Sequence, residues 1–135
     1  MPIDNKPYII TFPQFGSPVE GYIAVSEFES QIPFEVKRVF WTYYTPESIT
    51  RGRHAHFITE MVLIAAAGKI IVDLESTQNI KSSFTLDSPQ VGLYIPPLTW
   101  HVMKYSHNAI QIVLASSPYQ EMDYIRDYDM FKLLT

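Results

Sequence analysis

Short segments rich in β-branched and aromatic residues recur along the chain, and turn residues end each of them. This composition favours strands over helices. The near-regular spacing, with turn signals such as Asp87-Ser88-Pro89, is typical of an antiparallel sandwich or a small barrel. The predicted strands are residues 8–12, 22–28, 32–45, 60–75 (as two strands), 82–87, 91–96, 100–105 and 109–117.

Two segments carry further signals of secondary structure. Residues 60–75 contain three alanines, but β-branched residues stand on both sides of a glycine at which the pattern reverses. This predicts two strands joined by a hairpin turn at residues 67–69. In the C-terminal tail, Met122, Ile125 and Phe131 roughly follow a helical stripe, which predicts one short helix or helical turn.

Length and composition restrict the class of protein. The chain has 135 residues, 47% of them hydrophobic, and no linker, so we expect one soluble domain over residues 1–135. The absence of cysteine excludes disulfides and thiolate metal sites and fits a reducing compartment. The net charge of −4 argues against a nucleic-acid partner. With no secretory signal pattern and an apolar run, "MVLIAAAG", too short for a bilayer, we expect a cytoplasmic protein without a membrane partner.

His54 and His56 are the most informative polar residues. They are one residue apart in a β-type segment, so both rings, together with Ile58, face the same side. The residues alone leave three interpretations open. The pair can be ordinary core or rim histidines, it can bind a metal, or it can supply a general base, because neutral imidazole has a pKa near operating pH.

The spacing around this pair resembles that of cupin-type jelly-roll barrels. In those proteins His-x-His is often followed by a glutamate and, after a proline turn, by a third histidine. The matching residues here are His54, His56, Glu60 and His101. Three imidazoles and a carboxylate suit manganese, iron, zinc or nickel. A metal-dependent cupin enzyme is therefore one alternative.

Four longer strings carry a more specific resemblance. "IPFEVKRVF", "RGRHAH", "LDSPQVGLYIPPLTWH" and "VLASSPYQEMDYIRDYDMF" together resemble the dTDP-sugar 3,4-ketoisomerases, from about Gly16 to the C-terminus. The resemblance implies an all-β, cupin-type jelly-roll barrel of antiparallel strands. It implies conversion of a dTDP-4-keto-6-deoxyhexose to its 3-keto isomer through an enediol, in bacterial surface-polysaccharide biosynthesis. It also implies acid/base catalysis with no metal and no cofactor, and a homodimer that exchanges N-terminal strands.

The same resemblance implies roles for individual residues. His56 is the first choice for the base that removes the C3 proton, and His54 is the second proton-transfer candidate. Arg51 matches an arginine ahead of the pair, and its guanidinium suits a diphosphate or an enediolate oxygen. The predicted substrate-binding residues are Arg51, Tyr43 (facing the barrel), Trp100 (stacked on thymine), His101 and Tyr94. For Tyr43 and Trp100, packing in the core is the alternative. Lys37, Arg38 and Lys104 are weaker candidates for phosphate contacts, with a solvated surface position as the alternative.

The chain also departs from the family pattern close to the chemistry. Six positions that are usually polar or otherwise typical carry apolar or aromatic residues, which predicts a drier, less cationic pocket with altered substrate, stereochemistry or activity. A nucleotide-sugar-binding cupin without turnover is therefore a further alternative. The departures are Phe15, Phe40, Trp41, Phe57, Met61 and Val102.

Overall fold

A computed structural model describes residues 5–134, and nearly all of the regular structure in that range is β. One turn of 3₁₀ helix (Glu121–Asp123) and one short α-helix, α1 (Tyr128–Lys132), lie near the C-terminus. The strands are β1 (Tyr8–Thr11), β2 (Gln14–Ser17), β3 (Gly21–Ala24), β4 (Arg38–Tyr43), β5 (Thr50–His56), β6 (Met61–Ala67), β7 (Ile70–Ser76), β8 (Lys81–Leu86), β9 (Val91–Ile95), β10 (Thr99–Tyr105), β11 (Ile110–Ala115) and β12 (Tyr124–Ile125).

Two five-stranded antiparallel sheets make up the body of the protein. The first has the strand order β1-β9-β6-β11-β4, and the second has the order β12-β5-β10-β7-β8. Strands β2 and β3 form a separate two-stranded sheet. This architecture confirms the prediction of an all-β jelly-roll barrel. No helix within residues 5–134 is long and apolar enough to cross a membrane.

Alternation along β6 shows how the sequence builds the core. Met61 and Leu63 pack between the two sheets, together with Val72 from β7. Val62 points to the opposite face of the first sheet, where the buried Phe34 packs with it. Both faces of β6 are therefore covered, which explains why the segment is apolar at nearly every position.

The predicted hairpin at residues 67–69 is wrong. Strands β6 and β7 are both present, but β6 belongs to the first sheet and β7 to the second. The turn therefore crosses between sheets instead of pairing its neighbours. Gly68 has a φ of 69°, and an added Cβ would lie 2.6 Å from Cα of Ala109, so glycine is required there for backbone conformation and for space. Periodicity identified the strands but not their partners.

Three strand boundaries also differ from the prediction. Strand β2 lies between the predicted strands 8–12 and 22–28, where no strand was predicted, and β3 ends at Ala24 although its segment was predicted to reach residue 28. Strand β4 begins at Arg38, because the preceding segment, which contains Pro33, lies across the outer face of the first sheet. Proline has no backbone N–H to donate to a neighbouring strand, which is consistent with an irregular conformation of this segment.

The predicted terminal helix is confirmed. Helix α1 begins after Asp127, whose carboxylate accepts hydrogen bonds from the backbone N–H groups of Asp129 and Met130. Phe131 is fully buried and packs with Trp100 from β10. The helix thereby closes the second sheet on its outer side, next to the end of β5.

Candidate active site

A bulge in β5 sets the position of the first histidine. His54 pairs with His101 of β10, but the next pair is Gly52 with Val102, so β5 carries one extra residue, Arg53. Gly52 has a φ of 82°, and a Cβ there would lie 2.8 Å from the carbonyl oxygen of His101. Only glycine allows the two strands to approach this closely, and bulges of this kind often lie beside active sites.

Three histidines meet at this point. The ring centroids of His54 and His56 are 5.0 Å apart, and those of His54 and His101 are 4.4 Å apart. One ring nitrogen from each residue lies within 4.8 Å of the other two. The structure therefore brings together three predicted site residues, two from β5 and one from β10. Ile58 does not continue this face, because β5 ends at His56 and the Ile58 side chain is exposed.

Backbone carbonyls orient two of the rings. Nδ1 of His54 lies 3.0 Å from the carbonyl oxygen of Gly52, and Nδ1 of His101 lies 3.2 Å from that of Thr99. A carbonyl only accepts, so each Nδ1 carries the proton in these bonds. The two Nε2 atoms are 3.1 Å apart and face each other. The lone pairs of both rings are thus directed into the same small space.

A carboxylate orients the third ring. Nδ1 of His56 lies 3.2 Å from Oδ2 of Asp123, and both side chains are buried. The Oδ1 atom of Asp123 accepts from the backbone N–H of Ile58 at 2.7 Å, and the hydroxyl of Thr59 donates to Oδ2. Asp123 therefore accepts three hydrogen bonds, which fixes its position and, through it, the His56 ring.

The electrostatic surroundings keep the cluster neutral. Burial lowers the pKa of His56 to about 4, the neighbouring His54 lowers it further, and Asp123 partly opposes both effects. Burial also lowers the pKa of His54 and holds that of His101 well below its usual value. All three imidazoles are unprotonated near pH 7, so they are available to accept protons.

Aromatic and charged side chains form the mouth above the histidines. The Tyr124 ring centroid lies 4.9 Å from that of His54 and 4.4 Å from that of His56. The guanidinium of Arg126 lies over the Tyr124 ring at 4.3 Å and forms an exposed ion pair with Glu121 at 2.5 Å. Arg38 approaches the same ring from β4, with Nη1 at 3.4 Å from the Tyr124 hydroxyl. Two cations thus flank one entrance.

A cavity of about 90 Å³ lies inside the barrel beside His54 and His101. Arg51, one of the predicted substrate-binding residues, contributes to its wall, and this side chain is also exposed. Tyr105 and Gln111 add a polar wall, with the tyrosine hydroxyl donating to Oε1 of the amide at 3.1 Å. The volume is far below that of a usual ligand site, so a sugar nucleotide must extend beyond it.

Three predicted substrate-binding residues lie elsewhere. Tyr43 is on the outer face of β4 and 56% exposed, so the prediction that it faces the barrel is wrong. Trp100 packs against Tyr128 and Phe131 on the outer side of the second sheet, where it lines a groove of about 580 Å³ that is separate from the histidines. Tyr94 packs on the outer face of the first sheet in the cluster that contains Phe34. In each case strand alternation directs the ring away from the histidines.

Glu60 does not join the histidines as the metal alternative required. Its Oε1 atom accepts a hydrogen bond of 2.6 Å from the Tyr94 hydroxyl, and burial together with this bond raises the tyrosine pKa. Among residues 5–134, the cluster of possible ligands comprises the three imidazoles alone. Glu60 immediately precedes β6, and the chain has already left the barrel mouth at that point.

Two of the six departures from the family pattern lie at the cavity. Phe40 and Met61 line its wall, so they reduce its polarity directly. Val102 is half-buried on the outer side of β10, in the cluster that contains Trp100. The remaining three are exposed at the surface: Phe15, Trp41 and Phe57.

Sequence reasoning missed one central residue. Asp123 stands among exposed acidic residues in the C-terminal segment, but it is itself only 7% exposed and holds His56. The useful signal was its membership of the string "DYIRDYD", which β12 brings alongside β5 by pairing Tyr124 with His56. No spacing rule connects residues 67 positions apart, so only the tertiary fold identifies this pair.

Comparison with known proteins gives a consistent result. Residues 5–135 match the family model described as FdtA: WxcM-like, C-terminal. The chain belongs to this family. It is 41% identical over 131 residues to the TDP-4-oxo-6-deoxy-alpha-D-glucose-3,4-oxoisomerase of Aneurinibacillus thermoaerophilus, covering 96% of this chain and 91% of the relative. The resemblance drawn from the four sequence strings is thereby confirmed.

Solved structures of family members agree with the fold. A mutant of the 3,4-ketoisomerase QdtA from Thermoanaerobacterium thermosaccharolyticum, in complex with TDP-4-keto-6-deoxyglucose, has a TM-score of 0.89 and 33% identity, with 96% of this chain and 93% of that chain covered. The WlaRB TDP-quinovose 3,4-ketoisomerase from Campylobacter jejuni has a TM-score of 0.88 and 34% identity, with 97% and 99% covered. These values place the chain with the family's structures over nearly its whole length.

Proposed function

We propose that this protein is a sugar-nucleotide 3,4-ketoisomerase that converts a dTDP-4-keto-6-deoxyhexose into its 3-keto isomer. The observation that carries the proposal is the buried pair of His56 and Asp123. The carboxylate holds Nδ1–H of a neutral imidazole, so Nε2 is left with an oriented lone pair at the barrel mouth. The activities for which the relatives are named support the substrate class.

The proposed reaction is an internal redox exchange between two adjacent carbons. His56 removes the proton from C3, the freed electron pair forms a C3–C4 double bond, and the carbonyl pair of C4 moves onto O4. C4 then gains the proton that the C3 hydroxyl gives up as the C3 carbonyl forms, and O4 takes the proton that His56 removed from C3. Carbon 3 is oxidised and carbon 4 is reduced, so the exchange needs no external oxidant or reductant.

His54 and His101 are the proposed donors for the second half of the reaction. Their Nε2 atoms face each other at 3.1 Å, so a single proton placed between them hydrogen-bonds to both. Burial disfavours a lasting charge on either ring, which makes that proton easy to give up. The pair is therefore suited to take a proton from an O–H group and return it to carbon.

A deuterium experiment tests the proposal. The protein is incubated with dTDP-4-keto-6-deoxyglucose in deuterated water. NMR follows two signals: deuterium at C3 of the remaining 4-keto substrate, and formation of the 3-keto product. We expect both signals from the wild type and neither from His56→Asn. His107→Asn is the matched control, because His107 lies exposed in the turn after β10, outside the site. Retained exchange in His56→Asn contradicts the role of this residue as base.

Deuterium exchange and metal analysis distinguish the proposal from its two alternatives. A nucleotide-sugar-binding protein without turnover would bind TDP but produce no deuterium exchange. The observation that favours this alternative is the apolar Phe40 and Met61 in the cavity wall. Metal-independent catalysis is part of our proposal. Metal analysis of the purified protein tests it, and a stoichiometric transition metal with loss of activity on chelation would contradict it.

A homodimer is a further part of the proposal. The hairpin formed by β2 and β3 exposes Phe15 (62%), Tyr22 (56%) and Ile23 (67%), an apolar surface that a second copy would cover. Light scattering should give twice the mass of one chain, and Ile23→Glu should shift it towards the monomer. A wild-type mass equal to that of one chain contradicts the homodimer.

We also propose that the enzyme acts in the cytoplasm, in bacterial surface-polysaccharide biosynthesis.

A further inference from the structure

Arg38, the first residue of β4, extends its guanidinium to the barrel mouth. Its Nη1 donates to the Tyr124 hydroxyl at 3.4 Å, and the Tyr124 ring packs against both His54 and His56. The Arg38 charge lowers the pKa of both histidines in addition to the larger effect of burial. The cation therefore lies within electrostatic reach of both proton-transfer candidates.

This guanidinium has no anionic partner among the described residues. The side-chain ion pairs found within residues 5–134 use His56, Arg126 and Lys132 as their cations. Around Arg38 lie aromatic rings instead, with its Cζ atom 5.4 Å from the Phe40 ring centroid and 5.8 Å from that of Tyr119.

One nitrogen of the group is also left without a hydrogen bond. Nε of Arg38 is buried and has no acceptor within the part of the chain that the structure describes. An unsatisfied buried donor destabilises the folded state by about 1–3 kcal/mol, and by more when the group is charged. Because such groups are rare in native structures, this one indicates an acceptor that arrives with a ligand.

We propose that Arg38 is a catalytic residue that binds the oxyanion of the enediolate, an inference that rests on the function proposed above. When His56 takes the C3 proton, the electron pair forms the C3–C4 double bond and negative charge develops on O4. Arg38 donates guanidinium N–H groups to that oxygen, and its side chain shifts on binding so that the buried Nε–H gains an acceptor. When C4 gains the proton given up by the C3 hydroxyl, the C3 carbonyl forms, and O4 becomes a neutral hydroxyl by taking the proton held by His56.

The position of the cation favours the enediolate over the diphosphate of the same substrate. Carbons C3 and C4 must lie against the histidines that move the proton, and Arg38 acts on those same rings. The diphosphate is attached at C1 and extends away towards the nucleoside. Arg51 lies between the cavity beside His54 and a surface groove that it lines with Trp41 and Tyr43, so its exposed guanidinium suits the diphosphate that extends outwards.

The test compares Arg38→Gln with Arg53→Gln. Both variants remove one guanidinium, but Arg53 is exposed in the β5 bulge, and its side-chain hydrogen bond within residues 5–134 is to the carbonyl oxygen of Thr50. We expect Arg38→Gln to lower kcat by about 100-fold or more, the effect of losing one oxyanion donor. We expect its dissociation constant for TDP to change by less than about threefold, since TDP carries no sugar. Arg53→Gln should retain both values.

Two further measurements test the role of Arg38. TDP binding and a thermal melt report whether Arg38→Gln folds, and if it does not, Arg38→Lys provides the same comparison with the charge retained. For a folded Arg38→Ala, added guanidinium ion should restore part of the lost kcat. Unchanged kcat, or a loss of TDP affinity equal to the loss of turnover, overturns the role at the enediolate. Lack of isomerisation by the wild type counts instead against the proposed function.

Discussion

The Nε2 atoms of His54 and His101 face each other at 3.1 Å, while Nδ1 of each ring is directed at a backbone carbonyl oxygen. Two neutral rings with both Nδ1 atoms protonated have no proton left for this contact. A proton that enters between the rings therefore hydrogen-bonds to both of them, and burial favours its release again. A reaction that releases a proton beside them supplies one.

His101→Asn should separate the two halves of the reaction. Because His56 is held by Asp123 and not by His101, we expect deuterium exchange at C3 to continue. Formation of the 3-keto product should fall by about 100-fold or more, the usual contribution of one acid/base group. NMR of the sugar in deuterated water measures both quantities at once. Equal losses of exchange and product would assign His101 to the first step as well.

Asp123→Asn should impair catalysis through His56. An amide cannot replace the carboxylate as acceptor of three hydrogen bonds without turning an N–H group towards one of its partners. We expect kcat to fall by about 10–100-fold, with KM little changed, and a lower free energy of unfolding in urea. Asp129→Asn is the control, because that carboxylate is exposed on α1. A change in KM alone would argue against orientation of the base.

Stability should decrease as the pH falls below 6.5. The folded pKa of His56 is about 4, mainly through burial, so between pH 6.5 and 4 the unfolded chain binds a proton that the folded chain does not. The stabilisation present above pH 6.5 is therefore lost on acidification, by up to about 3 kcal/mol for this residue.

Urea unfolding at several pH values measures that loss. In His56→Asn the free energy of unfolding should depend less steeply on pH over this window, and His107→Asn should follow the wild type, because His107 is exposed. His54 and His101 change with the same sign, so some dependence persists in the His56 variant. An identical slope in His56→Asn and wild type would show that His56 is not buried in its neutral form.

The sequence predicted those parts of the site that lie within one strand or one recognisable string. His54 and His56 share a face because β5 is extended there, and His101 follows a proline turn as the family pattern implies. The positions of aromatic side chains were harder to predict, because a tyrosine in a strand is equally compatible with either face of the sheet until the register is known. Tyr43 and Tyr94 both face away from the histidines for this reason.

The sequence patterns did not predict which distant segments of the chain pair with each other. Strands β6 and β7 are joined by a tight turn around Gly68, yet they belong to different sheets. The contact of Asp123 with His56 depends on where the last segment crosses β5. Local patterns encode strand, turn and face, whereas these contacts depend on the packing of the whole chain.

Gly52→Ala should disrupt the histidine cluster by displacing β10. At a φ of 82°, an added Cβ would be 2.8 Å from the carbonyl oxygen of His101, so strain and a backbone clash act together. Gly21→Ala is the matched control, because Gly21 has a φ of 88° but open space around its Cβ position. We expect Gly21→Ala to lower the free energy of unfolding by about 1–2 kcal/mol and to retain activity. Gly52→Ala should be clearly less stable and lose most of its turnover; equal stability of the two variants would show that the close approach of β5 to β10 is not required.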